Sequence, residues 1–368
     1  MNTVKIAMVG VGNISGIYLE NITNLFQEIE LIGLYDLFPE RALEAQAKYQ
    51  IPKVYNSLEE VFADDEVQIV LNLTRPTEHY EVTKAALTAG KHVYSEKPLA
   101  ATYEQGKELV ELAESKGLML GGAPDTFLGA GIQTCRKLID DDVIGEPIGA
   151  AAFMICHGHE SWHPAPEFYY KFGGGPMLDM GPYYLTALVN LLGGVSEITG
   201  VTKKSFPQRM ITSQPLKGTV IDVDVPTYIT GILNFDSGAT GTIFTTFDVH
   251  YPDSSHLEIY GTKGTLWVPD PNCFGGPIRL YRPEDGTVRE MPLLFDYKEN
   301  SRGLGLADMA KALQTGREYR ADYKLTLHVL EIMSSFERSS DAKACVALES
   351  SYSRKAPMKN NPVSGILD

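Results

Sequence analysis

Four stretches of this chain carry residue types and spacings that could do chemistry. Gly10-Val-Gly12-Asn13-Ile14-Ser15-Gly16 follows a short apolar run and opens a helical pattern. Gly10 permits a tight turn, Gly12 lets backbone approach a pyrophosphate, and N–H groups at a helix start attract its charge. Asp36 ends the next apolar run about 20 residues further on, where a carboxylate accepts hydrogen bonds from an adenosine ribose. Taken singly, the glycines read as a strand end and Asp36 as a turn residue; taken together they point to a dinucleotide. A 2′-phosphate beside Asp36 would meet like charge, so NAD is expected ahead of NADP. Ser95-Glu96-Lys97-Pro98 then sets an ammonium beside a carboxylate after a further apolar strand, its plainer reading being a solvated ion pair.

Asp179 and Tyr183 stand four apart, so a helix would present them on one face. His157-Gly158-His159-Glu160-Ser161-Trp162-His163-Pro164 resembles a metal set at first sight. Its histidines alternate at strand spacing, no cysteine completes a zinc site, and Pro164 and Pro166 mark a loop, so no metal is expected. A substrate wall suits it better, with His157, His159 and His163 donating to hydroxyls and Trp162 stacking on a ring. Tyr169, Tyr170 and Lys171 fit the same wall; a surface or interface loop is the plainer alternative.

The elements that must position these groups follow from periodicity. Strands are expected at Val4–Val9, Glu30–Asp36, Val67–Thr74, Val93–Ser95 and Leu118–Leu120. Helices are expected at 14–26, from Pro39, at His79–Ala89 and at Tyr103–Ser115. Near-continuous apolar strands alternating with helices indicate a doubly wound α/β domain with a parallel sheet, placed at residues 1–123. The rhythm then changes. A helix at Gly131–Ile139, a strand at Ile148–Cys156 and a helix at Pro182–Leu192 precede short alternating strands broken by DSG and GTKG turns. Those turns predict antiparallel hairpins. With helices at Leu304–Gln314 and Tyr323–Ser334, residues 124–368 read as a second, α+β domain.

Composition excludes several classes. The 368 residues are 43% hydrophobic and 21% charged, as in packed globular proteins. A net charge of −15 disfavours nucleic acid and anionic lipid as partners. Four scattered cysteines form no CxxC, which fits a reducing compartment. No stretch approaches the roughly 20 apolar residues of a membrane span, and a cytoplasmic location is expected.

Several pieces in combination are similar to the glucose–fructose oxidoreductase / inositol dehydrogenase / MocA family. They are GVGNIS, Thr74-Arg75-Pro76-Thr77-Glu78-His79, ALTAGKHVYSEKPLA, CRKLIDDDVIGEPIG and GGGPMLDMGPYYLTALVNLLGG. The resemblance implies a Rossmann domain, a second domain with a large open, mainly antiparallel sheet, and homodimer or homotetramer contacts. It also implies nicotinamide-dependent chemistry on sugars, cyclitols or related alcohols. By position, Lys97 is the family's active-site lysine and Glu96 lies beside the nicotinamide ribose. Thr74, Pro76 and His79 belong to the segment bordering the cofactor, and Asp179 orients substrate. Asp125 falls in a region that often reaches substrate. Where many inositol dehydrogenase-type members carry a catalytic histidine, this chain has Tyr183, as glucose–fructose oxidoreductase and dihydrodiol dehydrogenase do.

Oxidising a secondary alcohol requires hydride transfer and proton removal. For Tyr183 to act as base near neutrality its phenol must fall by roughly 3 pKa units, about 4 kcal/mol. A lysine ammonium some 4 Å away supplies about that much at an effective dielectric of ~20. Tyr183 is therefore read as the base, or as a substrate contact with Lys97 or a water relay carrying the proton. His328 and Arg302 are weaker candidates, since a core histidine and a solvated arginine explain them equally. The expected function is an NAD-dependent oxidoreductase acting on a sugar, glycoside or cyclitol alcohol. A glycoside-cleaving enzyme that oxidises its substrate only transiently, or a non-catalytic cofactor sensor, are the alternatives.

Overall fold

The computed structural model describes residues 3–250, 253–360 and 365–368. Its first half alternates strand and helix. In chain order come β1 (Val4–Val9), α1 (Ser15–Asn24), β2 (Ile29–Tyr35), α2 (Pro39–Tyr49), β3 (Lys53–Val54) and α3 (Leu58–Ala63). Then follow β4 (Ile69–Asn72), α4 (His79–Thr88), β5 (His92–Ser95), α5 (Tyr103–Lys116) and β6 (Leu120–Gly122). All six strands pair in parallel in the order β3-β2-β1-β4-β5-β6, which is the Rossmann arrangement. β1 and β4 are buried along almost their whole length, as strands covered on both faces must be. The periodic reading misses β3 and α3 because two and six residues are too few to show a period. A side-chain cap compensates in α3, where Ser57 accepts from the N–H of Glu60.

The second half contributes α6 (Ala130–Asp140), β7 (Pro147–Ile155), α7 (Pro176–Leu192), β8 (Val195–Lys203), β9 (Gln208–Met210) and β10 (Val220–Asp222). β11 (Tyr228–Phe235), β12 (Thr240–Thr246), β13 (Leu257–Gly261), β14 (Thr265–Val268), β15 (Ile278–Tyr281) and β16 (Val288–Met291) follow. The last elements are α8 (Leu304–Thr315), α9 (Tyr323–Ala342) and β17 (Val346–Ala347). Nine strands form one sheet in the order β16-β15-β14-β13-β7-β12-β11-β8-β17. Its pairs are antiparallel apart from β7 with β12, and the β11–β12 and β13–β14 hairpins sit where the DSG and GTKG turns place them. β9 and β10 make a separate two-stranded ribbon.

α7 and α9 cover one face of the nine-stranded sheet, burying Ile198, Ile229, Leu233 and Ile243. The other face is open, with Val201 at 57% and Ile232 at 44% exposure. α7 starts at Pro176, six residues before the expected Pro182. Both prolines suit an early turn, but Pro176 takes the first and Pro182 lies inside the helix. Asp179 is thereby carried into the helix's first turn. α8 and α9 pack on β6, and Tyr319 both donates to the Leu120 carbonyl (2.8 Å) and accepts from its N–H (3.2 Å). The carboxyl ends of β1, β4, β5 and β6 thus open beside the start of α7.

Candidate active site

The glycine loop follows β1 as the spacing predicts. Gly10 has φ +96°, and a Cβ there would lie 2.7 Å from the Leu73 backbone, so this position demands glycine. A Cβ on Gly12 would meet nothing within 4 Å, which leaves space for a close ligand. Asn13 is exposed and Ile14 half-buried; among the described residues no side chain caps the first N–H groups of α1. Uncapped donors beside an open cradle suit a pyrophosphate. Asp36 is tied to that loop, its Oδ2 accepting from Val11 N (2.6 Å) and its Oδ1 from Phe38 N (2.8 Å). Carboxylate oxygens retain capacity for a further donor such as a ribose hydroxyl. Arg41 stacks on Phe38 and comes within 3.9 Å of Asp36, a proximity the linear sequence conceals.

The wall beside β4 is held by His79. Its Nδ1 lies 2.7 Å from the Pro98 carbonyl and its Nε2 3.0 Å from the Thr74 carbonyl. Both partners are acceptors, so only an imidazolium satisfies both, while burial pushes this imidazole's pKa down. His79 therefore joins the Thr74–Pro76 turn to the Lys97–Pro98 bond, which is cis. Thr74 Oγ1 donates to Asn72 Oδ1 (2.7 Å), and Pro76 is half-buried between them and α4.

Glu96 and Lys97 leave β5 in different directions. Glu96 accepts from Tyr18 Oη (2.8 Å) and from Lys97 N (2.9 Å). Lys97 Nζ crosses to α7, donating to the Asp179 carbonyl (2.5 Å) and to Asp179 Oδ1 (3.0 Å). Burial works against both charges. Lys97 and His159 nevertheless hold the Asp179 carboxyl at about 2. Asp179, Tyr183 and Glu96 keep Lys97 above the ordinary lysine range.

His159 Nε2 takes the other oxygen of Asp179 at 3.1 Å. Its ring is enclosed by Tyr169 (centroids 4.0 Å), Phe247 (4.7 Å) and Trp162 (5.2 Å), with Trp162 itself 61% exposed. His163 packs edge-on against Tyr169 and accepts from Ala165 N. Three groups distant in sequence thus meet, Lys97 and His159 gripping Asp179 from either side.

Three expectations require correction. His157 is not on this wall. β7 ends at Ile155 and Gly158 takes φ +81°, breaking the alternation that strand spacing implies. His157 instead stacks on His250 (3.5 Å) and accepts from Arg209 Nη1 (3.3 Å). Asp125 is 1% exposed and turned into α8, its Oδ2 accepting from Gly303 N (2.9 Å) and Gly305 N (3.0 Å). Burial pushes its carboxyl up to about 6 against those bonds. The electrostatic argument for Tyr183 also fails on balance. Lys97 lies over the phenol ring, 5.2 Å from its centroid, and the net pKa is raised because burial outweighs Lys97 and Arg302.

Of the weaker candidates, His328 is a core residue bonded to Val195 N and Ser350 Oγ. Arg302 reaches the site, with Nη2 3.4 Å from Tyr183 Oη. Sequence reasoning also passed over Tyr18 and Arg209. Tyr18 lies one helical turn after the glycine loop, which could have signalled it; Arg209 offers no local signal. Among the described residues, no group of three His, Cys, Asp or Glu side chains is arranged to hold a metal ion, and no helix is long and apolar enough to cross a membrane.

Comparison with known proteins agrees with this architecture. The model described as "Oxidoreductase family, NAD-binding Rossmann fold" matches residues 4–122, and the "GFO/IDH/MocA C-terminal domain" matches residues 132–267. The chain belongs to the Gfo/Idh/MocA family and is an NAD(P)-dependent oxidoreductase. It is 26% identical to an uncharacterized oxidoreductase of Schizosaccharomyces pombe, over 95% of this chain and all of that one. It is 24% identical to myo-inositol 2-dehydrogenase of Thermotoga maritima, over 72% of this chain and 75% of that one. Levoglucosan dehydrogenase with NADH shares the fold with a TM-score of 0.82 at 19% identity, covering 95% of this chain and 100% of that chain.

Proposed function

We propose that this protein oxidises, or in reverse reduces, a secondary alcohol of a sugar, glycoside or cyclitol. The observation that carries this reading is the Lys97–Asp179–His159 cluster at the carboxyl edge of the Rossmann sheet. The names of relatives support the substrate class: myo-inositol 2-dehydrogenase is named for a cyclitol, and levoglucosan dehydrogenase was solved with NADH and levoglucosan.

When bound, NAD supplies the hydride acceptor; the residues of the glycine loop and Asp36 would hold it. The chain's own groups handle the proton. Lys97, kept as an ammonium, donates to the hydroxyl oxygen and stabilises the negative charge that develops there. Asp179 fixes Lys97 and accepts from His159 Nε2, leaving Nδ1 as the atom that takes the hydroxyl proton. Tyr183, whose phenol stays protonated, donates a hydrogen bond to substrate. In this reading Asp179 orients Lys97 and His159 rather than the substrate itself, and the base is His159 rather than Tyr183. The same reading includes a homodimer or homotetramer, supported by the open face of the nine-stranded sheet.

The test offers purified protein NAD and a panel of glycosides, inositols and free sugars. Accumulating reduced nicotinamide that disappears in Lys97→Ala is the expected result. An aglycone released without reduced cofactor would replace this reading with transient-oxidation glycoside cleavage.

A further inference from the structure

One cation beside Tyr183 is not used by the proposed reaction. Arg302 precedes α8, and its Nη1 donates to Asn300 Oδ1 at 2.8 Å. Its Nη2 donates to Asn272 Oδ1 at 2.6 Å and to Tyr183 Oη at 3.4 Å. All three acceptors are neutral. Among the described residues no carboxylate pairs with Arg302. Other arginines of the interior do find one: Arg136 meets Asp140 at 2.6 Å, Arg209 meets Glu160 at 3.3 Å, and Arg317 and Arg320 meet Asp308 at 2.7 and 2.5 Å. A half-buried guanidinium whose partners among the described residues are amide and phenol oxygens keeps part of its charge uncompensated. Asp125, the carboxylate whose field reaches it, is already engaged by the N–H groups of Gly303 and Gly305.

The position of this charge is specific. Arg302 and Lys97 both lie against the ring of Tyr183, at 5.9 and 5.2 Å from its centroid. A substrate that meets Lys97 with its reacting hydroxyl and lies along the Tyr183 ring comes within reach of Arg302. Arg302 Nε has no hydrogen-bond partner among the described residues, and the 3.4 Å contact of Nη2 to Tyr183 Oη is long, so a carboxylate that displaces it meets the planar Nε–Nη2 fork.

We propose that Arg302 recognises a carboxylate on the substrate, so that the site takes a sugar acid, a uronate or an aldonate, in preference to the neutral sugar. The inference rests on the oxidoreductase reading and narrows its substrate class. A sugar phosphate shares the anionic chemistry, and the test separates the two.

NADH-loaded protein would be titrated by calorimetry at constant ionic strength. The ligands are D-glucuronate, D-galacturonate and D-gluconate, together with the uronate methyl esters, D-glucose and D-glucose 6-phosphate. At least one acid is expected to bind about tenfold tighter than its neutral counterpart, as a charge-assisted pair allows. In Arg302→Gln that preference should fall to within about twofold, and Arg302→Lys should restore part of it. Equal affinity for acid and neutral counterpart in the wild type overturns the inference and leaves the oxidoreductase reading standing. A preference for the phosphate alone overturns the carboxylate assignment. So does an Arg302→Gln protein that loses NADH affinity but keeps the acid preference, which would make Arg302 a cofactor contact. NADH binding without affinity for any of these ligands overturns both readings.

Discussion

Asp179 is shared between two partners: Lys97 Nζ stands 3.0 Å from Oδ1 and His159 Nε2 3.1 Å from Oδ2. The carboxylate therefore sets the orientation of a cation and an imidazole together. In the oxidation direction His159→Gln should lower kcat/KM by roughly a hundredfold to ten-thousandfold, the usual range for a positioned base. Steady-state rates check this; a variant within about tenfold of the wild type would exclude His159 as base.

Tyr183 behaves differently in this scheme. Its pKa is raised, chiefly by burial, so the phenol does not ionise near neutrality. Tyr183→Phe should leave the pH profile in place while lowering kcat/KM by about tenfold, the equivalent of one hydrogen bond. A rising limb that vanishes in this variant would restore the phenol as base.

Acid should weaken the fold through Asp179. Its carboxyl is held at about 2, below the unfolded value of about 3.9. A depressed folded pKa contributes stability that is fully present above about pH 4 and is lost as pH falls toward 2, here about 2 kcal/mol. The stability gap between wild type and Asp179→Asn, from urea melts, should narrow by that amount between pH 5 and pH 2. A gap independent of pH would mean that the pairing is already broken in solution.

Arg209 anchors the loop that presents His159. Its guanidinium donates to the Phe247 carbonyl and lies 3.3 Å from both Glu160 and Asp248. Glu160 in turn accepts from Tyr170 Oη and, through its carbonyl, from Thr212 N and Ser213 N. Arg209→Met leaves two buried carboxylates without their cation, a loss of about 3–5 kcal/mol. Urea melts should show that loss, and kcat/KM should fall as well because His159 is no longer held.

Cofactor choice should turn on Asp36. With Arg41 already 3.9 Å away, Asp36→Ser would remove the like charge and leave a cation for a 2′-phosphate. Fluorescence titration should show the NADPH-to-NADH affinity ratio rising at least about tenfold, the scale of one charge-assisted contact. An unchanged ratio would place the discrimination elsewhere.

The primary structure alone determined what depends on local order. Apolar runs interrupted by helices specify a parallel sheet, and DSG and GTKG specify two hairpins. Gly10 and Asp36 are legible because the turn and the ribose contact act within one βαβ unit. The family resemblance pointed Lys97 and Asp179 to one site although 82 residues of chain separate them, but the place of His159 against the other oxygen of Asp179 was not legible. The loop carrying His159 is held by Arg209, about 50 residues later, through contacts no local pattern encodes. Gly158 illustrates the difference most directly: its left-handed backbone sends His157 to Arg209 and His159 to Asp179, although the two histidines share a residue type and a strand-like spacing. Only folding decided the charge balance at Tyr183 and the neutral partners that Arg302 finds among the described residues, because burial and long-range fields are properties of packed atoms rather than of sequence order.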